Sequence, residues 1–223
     1  MDIFDFKVGL NLLQSCLRGQ RESDWDWSDA FSSGQLQSKL WLIREAERVF
    51  QGQSFHTAFV LAGWVGLLPA LWLEQKTCPI QQFRSFDWDS KSTEVAEEIN
   101  RPWVKKDWTF KATTLDIKDL HFPLSEYQTL RKDGSICLMH EKADVIINTS
   151  CEHITQFQNW LETLPENVPL ILQSNNFSGG GGHVNCCRDL AHFEEQCSFK
   201  RVLYKGTLAL DHYDRFMIIG TRG

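Results

Sequence analysis

A chain of 223 residues is long enough to bury one sizeable core with a small appendage. Its 42% hydrophobic and 23% charged residues are the balance of an ordinary globular domain. The net charge of -6 argues against a nucleic-acid partner, because phosphate affinity needs a concentrated basic surface, and the cluster Lys105, Lys106 and Lys111, interrupted by Asp107, reads as a solvated face.

The first fifty residues read as helical. Leu36, Leu40, Ile43 and Val49 recur close to helical spacing, with Lys39, Arg44, Glu45 and Arg48 on the other side. The acidic, aromatic stretch from Asp24 to Gly34 reads as a turn serving as a lid or cap. The pattern then changes. Thr57 to Leu61 is a short buried-strand run, Ala62-Gly63-Trp64-Val65-Gly66 a turn, and Leu67 to Leu73 an apolar helix. Pro69 is tolerated only in a first helical turn, which starts that helix near Leu67 or Leu68. Strand, glycine turn and helix open a βαβ unit.

A second strand spans Ile80 to Phe86 and runs into Asp87-Trp88-Asp89. The helix Ser92 to Ile99 follows, with Ser90 or Ser92 able to cap it. Trp108 to Leu115 is a third strand, ending at Asp116. Residues 117–142 hold a turn at Lys132-Asp133-Gly134 and one or two short elements. Ala143 to Ile147 is a fourth strand, followed by Asn148-Thr149-Ser150-Cys151-Glu152-His153, a helix from Ile154 to Leu164 and a fifth strand from Val168 to Gln173. The loop 174–185 contains consecutive glycines from Gly179 to Gly182; a mobile lid, a tolerant surface turn and an engineered replacement all fit that run. After the helix Asp189 to Gln196, strands Arg201 to Leu210 and Arg215 to Ile219 flank a connection short enough for an antiparallel hairpin.

Repeated β-α alternation demands a parallel sheet with helices on both faces. The chain therefore divides into a helical cap segment, 1–54, and an α/β domain, 55–223. The longest apolar stretch, Ala58 to Leu73, is too short and broken to span a bilayer, so no membrane partner is expected. The seven Cys form no C-x-x-C pair, and adjacent Cys186-Cys187 suit neither a disulfide nor a zinc knuckle. Reduced thiols in a cytoplasmic protein are expected, with an N-terminus that is no secretory signal. The nine Trp fit bulky packing or an aromatic-walled pocket.

Over about residues 55–223, the order of elements and the strand-end residues resemble the class I S-adenosylmethionine-dependent methyltransferases. The resemblance implies a Rossmann-like three-layer sandwich, with a mostly parallel seven-stranded sheet whose terminal hairpin places the last strand antiparallel beside the fifth. It implies S-adenosylmethionine as the cofactor, bound at the carboxyl ends of the first strands. Gly63 and Gly66, with Ala62 and Trp64, match the loop approaching the methionine part of the cofactor, where a side chain would obstruct it. The usual acidic residue before the glycines is absent; Val60-Leu61-Ala62 stands there. Asp87 matches the carboxylate that accepts from the ribose hydroxyls, with Trp88 beside it and Asp89 as a second candidate or a helix cap. Asp116 and Ile117 match the residues that meet adenine. The spacing G-W-V-G does not fit the G-x-G-x-x-G of nicotinamide enzymes.

Asn148 to His153 should face the reacting methyl group. The prolines of base-modifying relatives are missing there. Glu152-His153 resembles a pair that helps bind a divalent metal in small-RNA 2′-O-methyltransferases and quinone-pathway O-methyltransferases. The Glu three residues earlier is absent, the ligand set is incomplete even with His183, and no metal is expected. His153 or His183 then serves as general base. Gln173 to Asn176, Tyr204, Tyr213 and Arg215 are further candidates to line the pocket, with a surface salt bridge as the plainer role for Arg215. The expected function is methylation of oxygen or nitrogen on a small polar molecule. Non-methyl use of the cofactor (lysis, cyclisation or aminocarboxypropyl transfer) and a catalytically inactive cofactor-binding scaffold are the alternatives. The sequence assigns no oligomeric state.

Overall fold

The computed structural model describes residues 29–75, 77–179 and 181–223. The earlier part of the expected cap, including Trp25 and Trp27, lies outside the described residues. Helix α1 (Ser33–Val49) starts at Ser32, whose hydroxyl accepts from the Gln35 N–H at 3.3 Å. Its buried stripe is Lys39, Leu42, Ile43 and Ala46, while Leu36, Leu40 and Val49 are only half-buried. Those three still pack against the core, so the expected face is kept and widened to take in Lys39. Two contacts hold it there: Gln173 Nε2 donates to the Ser38 carbonyl at 3.2 Å, and Trp41 Nε1 donates to Tyr204 Oη at 3.2 Å. Lys39, expected on the outside, is only 6% exposed.

The remaining elements are β1 (Phe55–Leu61), α2 (Leu67–Leu73), β2 (Ile80–Asp87), α3 (Ser90–Ile99), α4 (Arg101–Lys105), β3 (Phe110–Thr114), β4 (Ser125–Leu130), β5 (Ile136–Glu141), β6 (Val145–Asn148), α5 (Phe157–Thr163), β7 (Leu170–Asn175), α6 (Leu190–Cys197), β8 (Arg201–Ala209) and β9 (Asp214–Thr221). The main sheet runs β3-β2-β1-β6-β7-β9-β8. Pairing is parallel from β3 through β7 and antiparallel at β7–β9 and β8–β9, as expected.

Alternation along β1 sorts the core into two layers. Ala58 and Val60 face α1, α2 and α3, meeting Leu42, Trp72 and Val95. Phe59 and Leu61 face the other way, toward Trp160 of α5 and Phe193 of α6. No helix among the described residues is long and apolar enough to cross a membrane.

Region 117–142 resolves into the separate β4–β5 hairpin. Ser125, Tyr127 and Thr129 point inward along β4, a polar set that gives little hydrophobic signal. Tyr127 packs edge-on against Phe86 at 4.9 Å, and Glu141 pairs with the buried Arg84 at 2.9 Å. Two smaller expectations are corrected. Helix α3 is capped by Asp89, which accepts from Ser92 N at 3.1 Å, rather than by Ser90 or Ser92. Lys111 is buried and bonded to Glu97 Oε1 at 2.6 Å, so only Lys105 and Lys106 of the basic cluster are solvated.

Candidate functional site

After β1 the chain makes a tight turn in which Ala62 (φ 54°), Trp64 (φ 48°) and Gly66 (φ 68°) all adopt left-handed backbone. For alanine and tryptophan that conformation costs about 1–2 kcal/mol each, so the surroundings must impose it. Gly63 N donates to the Phe86 carbonyl at 3.0 Å, and Trp64 N donates to Asp87 Oδ2 at 2.8 Å. Both glycines are required by the protein's own packing. A Cβ on Gly63 would overlap Ser85 Oγ, and one on Gly66 would come within 2.9 Å of Ala96 Cβ.

The turn opens onto a cavity of about 580 Å³ beyond the carboxyl ends of β1, β2 and β7. Ala62, Gly63 and Trp64 line its β1–β2 side with Asp87 and Trp88. Asp87 is buried, and burial raises its carboxyl pKa while the N–H groups of Asp89 and Trp64 pull it back. Its oxygens accept backbone N–H groups from Trp64 at 2.8 Å and from Asp89 at 3.1 Å, with the Trp88 N–H adding to the pull, and acceptor capacity is left for a ligand. Trp88 borders the same space with 78% of its surface exposed. Asp89 lines the cavity too, but the hydroxyl and N–H of Ser92 hold its carboxyl below the usual range, in its role as a cap.

The β6–β7–β9 side is polar. Glu152, in the 3₁₀ turn Cys151–His153, is its hub. Glu152 Oε1 accepts from Asn175 Nδ2 at 2.6 Å and from Arg215 Nη1 at 3.2 Å. Arg215 Nη1 also donates to the Thr149 carbonyl at 2.9 Å. This ion pair is buried, not the surface salt bridge expected for Arg215. Glu152 Oε2 and Arg215 Nε are buried without hydrogen-bond partners among the described residues. The carbonyl of Glu152 accepts from both Val184 and Asn185 N–H at 2.9 Å, which pins the glycine-containing loop over the site.

That loop brings His183 to His153, with ring centroids 4.6 Å apart and edge to face. His153 Nδ1 lies 3.1 Å from the Gly182 carbonyl and His183 Nδ1 lies 2.5 Å from the Phe177 carbonyl. A carbonyl only accepts, so both Nδ1 atoms carry the hydrogen, and in the neutral ring the lone pair falls on Nε2. Glu152, His153 and His183 offer ligand atoms within 4.8 Å of one another and are the described residues able to gather round a metal ion.

The other sequence candidates divide. Asn175, Tyr213 and Arg215 line the cavity. Tyr204 instead packs on α1 through Trp41, and Asn176 serves Asp214. Asn148 is fully buried and accepts from Ser150 N at 2.7 Å, shaping the loop rather than facing the cavity. Asp116 is exposed, stands outside the cavity lining and caps a 3₁₀ turn by accepting from Lys118 N at 3.0 Å. Ile117 packs against the core. Sequence reasoning missed Lys39, which lines the cavity from α1; burial and then the charge of Arg215 lower its pKa from 10.5 to about 7.

No family model and no curated protein matches the sequence. Solved structures do match. The magnesium protoporphyrin IX methyltransferase ChlM from Synechocystis PCC 6803 with bound SAH aligns at a TM-score of 0.60 and 12% identity, over 96% of this chain and 94% of that one. The N-methyltransferase NodS from Bradyrhizobium japonicum WM9 aligns at 0.56 and 11% identity, over 86% and 98%. The small RNA methyltransferase HEN1 aligns at 0.60 and 15% identity, over 90% of this chain and 27% of that one. Strand order and these alignments agree that the chain has the fold of the class I S-adenosylmethionine-dependent methyltransferases.

Proposed function

We propose that the chain transfers a methyl group from S-adenosylmethionine to an oxygen or nitrogen of a small polar acceptor. The observation carrying this reading is one cavity that joins a nucleoside-type end, Asp87 and Trp88, to an acid–base end, Glu152, His153 and His183. The residues present fit the cofactor. The remaining acceptor capacity of Asp87 suits a ribose hydroxyl, and the open face of Trp88 suits a purine ring. When bound, the cofactor supplies an electrophilic methyl on sulfonium. The Nε2 of His153 or His183 takes the proton from the acceptor hydroxyl or ammonium, while Asn175 and Glu152 fix its orientation. Asn148 acts at one remove, as a positioning residue for the Ser150 loop. A cavity of about 580 Å³ is in the range of small-molecule sites, and the net charge of -6 disfavours a phosphate backbone.

Calorimetry with S-adenosylhomocysteine and mass spectrometry of the products test the proposal. Wild type binds S-adenosylhomocysteine, and Asp87→Ala loses about tenfold or more, the order of a charge-assisted hydrogen bond. Absence of binding to the wild type overturns the reading. Methylthioadenosine as product would assign non-methyl chemistry instead. That second reading is favoured by similarity to MtNAS, solved in complex with MTA and tNA, at a TM-score of 0.54 and 12% identity over 97% of this chain and 73% of that one. Binding without turnover would leave a cofactor-binding scaffold.

A further inference from the structure

Glycine occupies every position from Gly179 to Gly182, and of the described members of that run only Gly182 has left-handed backbone, with φ at 76°. A Cβ on Gly182 would meet His153 Nδ1 at 3.4 Å, an ordinary contact, and one on Gly181 would meet nothing within 4 Å. Glycine is therefore asked for at 182 by the backbone and not by crowding. That conformation aims the Gly182 carbonyl at His153, whose Nδ1 lies 3.1 Å away. The chain around Gly182 is fixed as well. His183 Nδ1 bonds the Phe177 carbonyl at 2.5 Å, and the N–H groups of Val184 and Asn185 donate to the Glu152 carbonyl at 2.9 Å. Among the described residues, the Gly182 carbonyl is the hydrogen-bond partner of the His153 ring. A neutral imidazole in water carries its hydrogen mainly on Nε2; in a protein, the partner of one nitrogen decides where the hydrogen sits.

We propose that Gly182 is a positioning residue for proton transfer: its left-handed backbone points a carbonyl at Nδ1 of His153, fixes the hydrogen there, and so leaves Nε2 as the basic nitrogen. The inference rests on the reading of His153 as general base and adds the residue that decides which of its nitrogens acts. The opposite tautomer would present an N–H where an acceptor hydroxyl needs a lone pair. When Nε2 takes a proton the ring gains a charge, and the Nδ1–H bond to the Gly182 carbonyl becomes charge-assisted and stronger. The same bond ties the 3₁₀ turn that carries His153 to the loop after β7, which holds the ring in one orientation.

The full chain, labelled with ¹⁵N-histidine, tests this by long-range ¹H–¹⁵N NMR at about pH 9, where imidazoles are neutral. A chelator is present so that no metal ion sets the tautomer. The spectrum shows which nitrogen of each ring carries hydrogen, and the His153 signal is assigned by its loss in His153→Ala. Wild type should show hydrogen on Nδ1 of His153. Gly182→Ala, strained in left-handed backbone, should move the tautomer ratio toward Nε2–H about fivefold or more, the order of one lost hydrogen bond. Gly181→Ala should match the wild type, and Gly182→Asn, with a residue that adopts left-handed backbone more readily, should keep most of the Nδ1–H form. Hydrogen mainly on Nε2 of His153 in the wild type overturns the proposal, and does so even if Gly182→Ala fails to fold. An unmoved ratio in Gly182→Ala overturns it too, as does an equal change in Gly181→Ala, which would implicate the run rather than Gly182. A wild type that shows the expected tautomer but does not bind S-adenosylhomocysteine in calorimetry keeps the hold of Gly182 on the imidazole and removes the methyltransferase reading.

Discussion

Lys39→Met keeps an unbranched stem in α1 and removes the charge. In the wild type, burial and Arg215 lower the Lys39 pKa from 10.5 to about 7. At about 1.4 kcal/mol per unit, that difference corresponds to a folding penalty of about 5 kcal/mol wherever Lys39 is protonated in both states. Below pH 7 the folded and unfolded chains both hold the proton and the full penalty applies. Between pH 7 and 10.5 the unfolded chain holds a proton that the folded chain has released, so wild-type stability rises with pH through that window. The variant lacks this slope. Urea denaturation of both proteins at about pH 6, 8 and 10 reads it directly. Lys39→Met should be the more stable protein at the lowest pH, with an advantage that shrinks by about 1.4 kcal/mol per pH unit above neutrality. Parallel stability profiles would refute the argument, because they require Lys39 to titrate alike in both states.

Gly63→Ala should destabilise by about 1–3 kcal/mol in the same assay, through overpacking. Ser85→Ala should relieve part of that loss, since the clash is with Ser85 Oγ and the Ser85 Cβ lies farther off, at 3.3 Å. Glu152→Gln leaves the Arg215 guanidinium buried without its counter-charge and should cost about 3 kcal/mol; a change under about 1 kcal/mol would show that the pair is dispensable. His153→Ala should lower turnover about a hundredfold while S-adenosylhomocysteine affinity, by calorimetry, stays near the wild-type value. Unchanged turnover would remove His153 from proton transfer.

The sheet was legible because its strands are buried on both faces and read as short apolar runs between turn residues. The place of Asp87 in the cavity lining was legible for a related reason: the end of such a run opens onto the crevice beyond the carboxyl ends of the strands. Asp116 met the same criterion, yet its carboxylate closes a turn with Lys118, a local bond that position after a strand does not distinguish from a ligand contact. Lys39 was hidden by the helical pattern. Leu36, Leu40, Ile43 and Val49 set the expected face and do pack on the core, whereas contacts to Ser38 and Trp41 from β7 and β8 extend the buried face to Lys39. Those contacts span 135 and 163 residues, beyond the reach of any local window. The burial of Arg215 was missed likewise, because its partner Glu152 lies 63 residues earlier.

One wall of the chamber comes from a segment that shares no β-ladder with the rest. Gln35 and Lys39 hang from a rod packed on one face of the sheet, so exchanging these two side chains alone would re-tailor the chamber while sparing the strand framework. The chamber therefore has a dial on that rod, separate from the wall that Asp87 and Trp88 build.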